Sequence, residues 1–270
     1  MNEVGFLVVV GVVLATALAI RRLRKGRGLW VRGLTPWERA LLVKYVPHYG
    51  RLSAAGKQRF ESITATFLHE KRWEGVGTEL EEEMRVMIAA SAAQLLLGRP
   101  EIKLRHFERF QVYANAYRSD RNDRWHQGEV QPRKGLVRIS WRHFLHGYSD
   151  PRDAHNVALH ELAHAFWFED LIPNGEQGFL DPELKARWLK RADEVMTRIH
   201  GGEEVLFREY AGTNREEFFA VAVEYFFEQP REFLYEHPDL YELLRGMLHQ
   251  DPLREDGPLL PGVLEEVSPK

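Results

Sequence analysis

The sequence "HELAHAF", residues 160–166, places two histidines four residues apart with a glutamate directly after the first. Residues four apart lie on one face of an α-helix, so His160 and His164 can offer both imidazoles to a single metal ion. Glu161 is one step round the helix, where it can lie beside that ion and move a proton. The stretch therefore predicts a helix that carries a zinc site.

The residues around the motif indicate that this helix is buried. Asp150 followed by Pro151 predicts its start, with a capping residue and then proline at the first helical position. A buried helix needs a partner for its His-Glu-His groups, and a metal ion is such a partner. The alternative is an exposed helix face with a salt-bridging glutamate. The other side chains of the helix argue against it, being almost all apolar: Val157, Ala158, Leu159, Leu162, Ala163, Ala165, Phe166 and Trp167.

A third ligand must come from elsewhere, because zinc in hydrolases usually takes three protein ligands and leaves one position for water. The segment "YAGTNREEFFAVAVEYFF", residues 210–227, predicts a second buried helix in which Thr213 and Glu216 form a capping box. Glu217 is then free to bind metal, or it is a first-turn acid favoured by the helix dipole. Glu224, seven residues on, is a rival ligand or a partner that orients one.

Composition excludes several other classes of site. The 270-residue chain contains no cysteine, which excludes disulfides, cysteine nucleophiles and thiolate zinc sites. Its formal net charge of −3 offers no basic surface for nucleic acid, so we expect no direct nucleic acid binding. The length allows one large domain or two small ones.

The N-terminus predicts a membrane anchor. Residues 4–20, "VGFLVVVGVVLATALAI", carry no charge, and "RRLRKGR" follows at once. The run is near the short limit for a spanning helix, and the basic cluster after it keeps the C-terminal side in the cytoplasm. We expect a single-pass protein of the inner (cytoplasmic) membrane whose catalytic domain faces the cytoplasm. A cleaved signal is the alternative, but "MNE" before the run has no lysine or arginine.

The remaining pattern predicts an α+β protein that is mainly α. Helical spacing follows Pro36 and Ser53, and Thr78 with Glu81 resembles a capping box before a long apolar helix. Short runs rich in Val, Ile and aromatics predict a small antiparallel sheet. The expected organisation is an anchor with its basic flank (1–28), one domain (29–252) and a loose tail (253–270). That domain has a helical part at about 36–98, a sheet at about 107–141 and zinc-site helices at about 151–228.

Four segments resemble the family of Mlc titration factor A, which consists of zinc-dependent peptidases of the gluzincin type. They are "FLHEKRWEGV" (67–76), "EEEMRVMIAASAAQLLLGR" (81–99), "HNVALHELAH" (155–164) and "TNREEFFAVAVEYFFEQP" (213–230), and the resemblance runs from about Trp37 to Pro252. It implies a zincin-like domain with one Zn²⁺ per chain. The implied ligands are His160, His164 and Glu217, with Glu161 as the general base.

The lethal-factor metallopeptidases share this arrangement, including a tyrosine shortly before the third-ligand helix. The resemblance therefore implies that Tyr210 stabilises an oxyanion, and a packed core tyrosine is the alternative. The chain departs from the family after the motif, where "AFWFEDLIPNGEQGF" (165–179) replaces an Asp-containing stretch and a glycine. This departure concerns the pocket rather than the ligands.

These features lead to one expected function and two rivals. We expect a membrane-anchored zinc metallopeptidase that acts on peptide or protein substrates, and the resemblance implies aminopeptidase-like activity on short peptides. "GEV" (128–130) or "LVRIS" (136–140) could be the edge strand that aligns such a peptide. One rival is a membrane-tethered regulatory protein that binds a transcriptional repressor, with zinc structural. The other is an endopeptidase that acts on membrane or misfolded proteins.

Overall fold

A computed structural model describes residues 32–254, and it agrees with the predicted class, α+β and mainly α. Ten α-helices lie in this part of the chain: α1 (Pro36–Tyr45), α2 (Pro47–Arg51), α3 (Ala54–Glu70), α4 (Glu82–Leu96), α5 (Trp141–Ser149), α6 (Val157–Glu169), α7 (Pro182–His200), α8 (Arg215–Glu228), α9 (Pro230–Glu236) and α10 (Pro238–Leu248). Two short 3₁₀ turns, Pro132–Lys134 and Glu209–Gly212, complete the helical elements.

The first helices begin where the sequence predicts. Thr35 caps α1 with a full capping box to Glu38, and Pro36 takes the first helical position. Ser53 caps α3 by accepting a hydrogen bond from the Gly56 amide. Local sequence decides these two starts, because each cap is completed within four residues.

The long apolar helix α4 is central and buried as predicted, but its predicted start is wrong. The helix begins at Glu82, with Glu81 at the cap position and no side-chain capping bond. Thr78 is outside the helix, because its backbone folds back against Gly75 of the preceding strand. A Cβ atom on Gly75 would lie 2.4 Å from the Thr78 carbonyl oxygen. This close approach places Thr78 in a bend, and the helix begins only after it.

The sheet is mixed, so the predicted purely antiparallel sheet is wrong. Its strands are β1 (Arg72–Val76), β2 (Arg109–Tyr113), β5 (Gly128–Gln131) and β6 (Leu136–Ser140), in the spatial order β1-β2-β6-β5. The first three in that order run parallel, and only β5 is antiparallel to its neighbour. Strand β1 lies outside the predicted window 107–141, and α4 is the crossover that makes β1 and β2 parallel.

Two further strands, β3 (Tyr117–Arg118) and β4 (Trp125–His126), form a separate antiparallel hairpin just before the edge strand β5. Strands β5 and β6 are joined by a tight turn that Gly135 closes with φ 57°. Glycine suits this position because the left-handed region costs it nothing.

The motif helix is shorter at its N-terminus than predicted. It begins at Val157, with Asn156 as its cap, and Asp150 ends α5 instead of starting α6. The Asp150 carboxylate accepts a hydrogen bond from the Arg152 amide, and Ala154 has φ 54°. A turn with a left-handed residue cannot continue a helix, so residues 151–154 separate the two helices.

Aromatic side chains join α6, α7 and α8 into the core that carries the site. Phe219 of α8 is fully buried and contacts Phe166 and Trp167 of α6 and Trp188 of α7. Burying one such side chain contributes about 2–3 kcal/mol. The two site-bearing helices are therefore held at a fixed distance by rigid rings.

Within residues 32–254, no helix combines the length and the apolar character needed to span a bilayer. The predicted anchor (1–28) lies outside the described residues and stays a prediction. The predicted tail (253–270) falls outside them from residue 255 onward.

Candidate metal centre and catalytic cleft

The three predicted ligands meet in the structure. Glu217 Oε2 lies 3.0 Å from His160 Nε2 and 3.2 Å from His164 Nε2, and the two Nε2 atoms are 3.1 Å apart. His160 and His164 come from successive turns of α6, while Glu217 comes from the first turn of α8. Among the described residues, these three form the one group of histidine and carboxylate side chains close enough to hold a metal ion.

The donor set fits a metal ion in size and in chemistry. Ligands about 2.0–2.1 Å from a tetrahedral ion are about 3.3 Å from one another, close to the distances here. Three lone-pair donors facing one point in a buried site are costly unless a cation lies between them. Two imidazoles with one carboxylate are also the set that catalytic zinc sites use while leaving a position open.

The geometry decides between the two predicted roles of Glu224. Its Oε2 accepts a hydrogen bond from His160 Nδ1 at 2.9 Å, on the side of the ring opposite Nε2. The carboxylate therefore orients a predicted ligand, in the ring tautomer that would leave Nε2 free for a metal ion. Arg208, which the sequence did not reveal, pairs with the same oxygen and donates to the Ala154 carbonyl.

Asparagines cap both site helices, and the predicted capping box of Thr213 and Glu216 is wrong. Asn214 Oδ1 accepts a hydrogen bond from the Glu217 amide, so the cap of α8 acts on the ligand residue itself. Thr213 instead directly follows the 3₁₀ turn Glu209–Gly212, at its C-cap position. Asn156 caps α6 through the Leu159 amide, and its own amide donates to Glu224 Oε1.

The ionisable groups of the site are strongly perturbed. Burial opposes charge on His160, but the carboxylates of Glu224 and Glu217 prevail and raise its pKa to about 10. Burial lowers the pKa of His164. Burial opposes ionisation of Glu217 as well, but hydrogen bonds from both histidines hold its pKa well below the ordinary range. The carboxylates thus create a field that favours a positive charge between the ligands.

Glu161 is buried beside the ligands, with 6 % of its surface exposed. Burial raises the pKa of its carboxyl to about 8. The group lies against the edge strand, since a Cβ atom on Gly128 would be 2.5 Å from both Cγ and Oε1 of Glu161. Only glycine allows this approach of strand and carboxyl, and the sequence offers no local signal for it.

Tyr210 lies at the edge of the site, half exposed, in the 3₁₀ turn that precedes α8. Its ring centroid is 6.0 Å from that of His160. Burial and the charge of Glu217 raise the pKa of its phenol, so the group keeps its proton at neutral pH. The alternative of a packed core tyrosine is wrong for this residue.

A cleft of about 1410 Å³ opens in front of Glu161 and His160 and also exposes Tyr210. Gly128 of the edge strand β5 lies on its wall, as expected for the "GEV" segment. Four histidines without predicted metal spacing line the same cleft: His126, His143, His146 and His155. None of them joins a metal-binding group within residues 32–254.

A His-Glu-His helix, a carboxylate ligand from a following helix and a cleft beside an edge strand together define a metallopeptidase-type site. The chain belongs to the family described as glucose-regulated metallo-peptidase M90, whose model matches residues 20–249.

Individual relatives are similar over most of their length. An uncharacterized protein of Synechocystis sp. is 28 % identical over 241 residues, which cover 83 % of this chain and 88 % of the relative. Mlc titration factor A of Klebsiella pneumoniae is 27 % identical over 246 residues, which cover 82 % of this chain and 89 % of the relative. The protein of that name in Enterobacter sp. is 26 % identical over 242 residues, or 82 % and 88 %.

Proposed function

We propose that the chain is a zinc-dependent peptidase. The observation that carries this proposal is the meeting of two Nε2 atoms and one carboxylate oxygen within 3.0–3.2 Å, with the buried carboxyl of Glu161 beside them on an open cleft. His160, His164 and Glu217 would hold the ion. When bound, zinc supplies a Lewis acid that polarises a peptide carbonyl and acidifies a water molecule.

Two other residues have separate roles in the reaction. Glu161 takes the proton from the attacking water and returns it to the leaving amine, a role supported by its position beside the three proposed ligands on the wall of the open cleft. Tyr210 donates a hydrogen bond from its protonated phenol to the developing oxyanion. The substrate extends along β5, whose outer edge has no strand partner among the described residues.

Two finer features belong to the same proposal. Aminopeptidase-like cleavage of short peptides rests on the family resemblance. Attachment to the inner membrane, with this domain facing the cytoplasm, rests on the uncharged run at 4–20 and the basic cluster after it.

A regulatory role is the second candidate, and the name Mlc titration factor A, carried by several relatives, favours it. In this case the chain would bind a transcriptional regulator and the metal would be structural. The buried Glu161 supports the enzyme instead, since a structural zinc site needs no base and usually fills its fourth position.

The test compares the full-length wild type with Glu161→Gln, measuring zinc per chain and cleavage of a peptide library with free and blocked N-termini. We expect one zinc in both proteins and a loss of cleavage of about 10²–10⁴-fold in the variant. Glu216→Gln, next to a ligand but away from the site, is the matched control. No bound zinc, or undiminished cleavage in the Glu161 variant, would refute the proposal.

The library also separates the finer alternatives. Cleavage restricted to free N-termini supports the aminopeptidase, whereas cleavage of blocked peptides supports the endopeptidase. One zinc per chain without cleavage of any peptide favours the regulatory role. That role further requires that Glu161→Gln leave binding of the regulator unchanged.

A further inference from the structure

A second cavity has Asn156, the cap residue of the motif helix α6, on its wall, and it is also lined by basic groups. It measures about 670 Å³, and Arg51, Arg152 and Arg231 all line it. Within residues 32–254, none of these three guanidinium groups has a hydrogen-bond or ion-pair partner. All three arginines are exposed to solvent, and each guanidinium carries five donors that match an oxyanion.

Buried polar atoms at the same cavity also lack partners. His48 is 5 % exposed, and its Nε2 has no hydrogen bond. Glu228 has one oxygen bonded and the other, Oε2, buried and unsatisfied. Burial raises the pKa of Glu228 to about 8, so this carboxyl carries a proton at neutral pH and can donate it to a ligand oxygen. The one other acid on the wall, Glu232, is exposed.

The cavity connects to the metal centre through a short chain of hydrogen bonds. Asn156 Nδ2 donates to Glu228 Oε1 at 3.0 Å, and the Asn156 amide donates to Glu224 Oε1 at 2.8 Å. Glu224 in turn holds His160 Nδ1. Asn156 thus touches the cavity wall, caps α6 and positions the partner of a predicted ligand.

We propose that this cavity, here named the oxyanion cavity and defined by Arg51, Arg152, Arg231, His48 and Glu228, binds a small phosphorylated or carboxylated metabolite. We further infer that its occupancy changes metal affinity through Asn156. The guanidinium groups and the protonated carboxyl supply donors to the oxyanion. A ligand that pulls Glu228 toward the arginines also pulls on Asn156, and by linkage metal binding alters ligand affinity by the same factor.

The test is calorimetric titration of the full-length protein, in metal-free and zinc-loaded form, with inorganic phosphate and with succinate. We expect saturable binding of at least one of them, and Kd at least tenfold higher in Arg152→Gln and in Arg231→Gln. Arg133→Gln is the control, because Arg133 is exposed in the turn Pro132–Lys134 and does not line the cavity. Exposed arginines are suitable for substitution because their loss does not disturb the core.

The two probes separate the possible ligands. Tighter binding of phosphate assigns a phosphoryl ligand, and tighter binding of succinate assigns a carboxylate. Binding of neither, or the same Kd in the Arg152, Arg231 and Arg133 variants, overturns the site. A titration of the metal-free protein keeps this result independent of peptide hydrolysis.

Coupling is measured by chelator competition for zinc, with and without the saturating oxyanion. We expect a change in zinc affinity of about fivefold or more, which Arg152→Gln removes. Oxyanion binding with unchanged zinc affinity would overturn the coupling.

Discussion

Substitution of Gly128 by alanine tests whether strand β5 positions Glu161, the proposed general base. The new Cβ atom would lie 2.5 Å from Cγ and Oε1 of Glu161 and 2.7 Å from Cδ. Ordinary contact begins at 3.4 Å, so the carboxyl must move by about 0.9 Å or the strand must retreat by as much. Glu161 lines the open cleft, so its carboxyl can give way to the methyl group only by leaving its present position beside the proposed ligands.

The expected effect follows from this displacement. A misplacement of about 1 Å in a catalytic group can lower the rate by about 10²-fold, which corresponds to about 2.7 kcal/mol. The three atoms nearest the added methyl group all belong to Glu161 and none to the proposed ligands, so zinc content should remain at one per chain. Gly128→Ala should therefore reduce kcat/KM for a peptide substrate while zinc binding is retained.

Kinetics on the zinc-loaded protein, with Gly50→Ala as control, measure this effect. Gly50 has no atom within 4 Å of an added Cβ, so its variant should behave as wild type. The double variant Gly128→Ala with Glu161→Gln should be no worse than Glu161→Gln alone, because both changes act on one group. Undiminished kcat/KM in Gly128→Ala, or fully additive losses, would refute the reasoning.

Three further variants address the supports of the site. Glu224→Gln removes the carboxylate that orients His160, so zinc affinity should fall about 10- to 100-fold by chelator competition. Asn214→Ala removes the cap at the Glu217 amide and should lower the free energy of unfolding by about 1 kcal/mol in urea. Burial raises the pKa of Glu228 from 4.5 to about 8, so wild-type stability should fall by a few kcal/mol between these pH values, and Glu228→Gln should lose this dependence.

A different result would contradict each of these three predictions. Unchanged zinc affinity in Glu224→Gln would remove the orienting role, and Glu216→Gln is its control. Asn214→Asp should keep most of the stability that Asn214→Ala loses, since aspartate caps as well. The sign for Glu228 is fixed: the folded state holds the proton above pH 4.5, so stability falls as pH rises. A wild type whose stability rises over this window would contradict it.

The predictable part of the site is the part that helix periodicity encodes. His160 and His164 meet because they are four residues apart on one helix. The need for a third ligand left Glu217 and Glu224 both open, and the family resemblance selected Glu217. Residues that act through tertiary approach were not predictable. Gly128 reaches Glu161 from a strand 33 positions earlier in the chain, and Arg208 reaches Glu224 from an irregular segment.

The errors in the fold have the same origin. By sequence, Asp150 and Thr213 are acceptable helix caps. In the structure, Asn156 and Asn214 are the caps, because a turn precedes each helix and delays its start. Strand β1 was missed because its pairing with β2 spans a whole crossover helix, and because Gly75 within it and Gly77 just after it mimic a loop. Helix and strand signals are local in the sequence, whereas caps and parallel pairing depend on which distant segments the fold places next to each other.

The two asparagine caps explain how a polar site can exist inside an apolar core. Buried ligand groups cost least when the polar atoms around them have partners, and here this holds for Glu217 and His160 but not for Nδ1 of His164. Asn214 bonds the amide of the ligand residue Glu217, and Asn156 joins the α6 cap to the carboxylate that holds His160. Each helix start therefore fixes both the backbone and a ligand. A substitution at either cap should therefore change metal affinity more than it changes the packing of the hydrophobic core. For this reason the oxyanion cavity beside Asn156 is well placed to control the site.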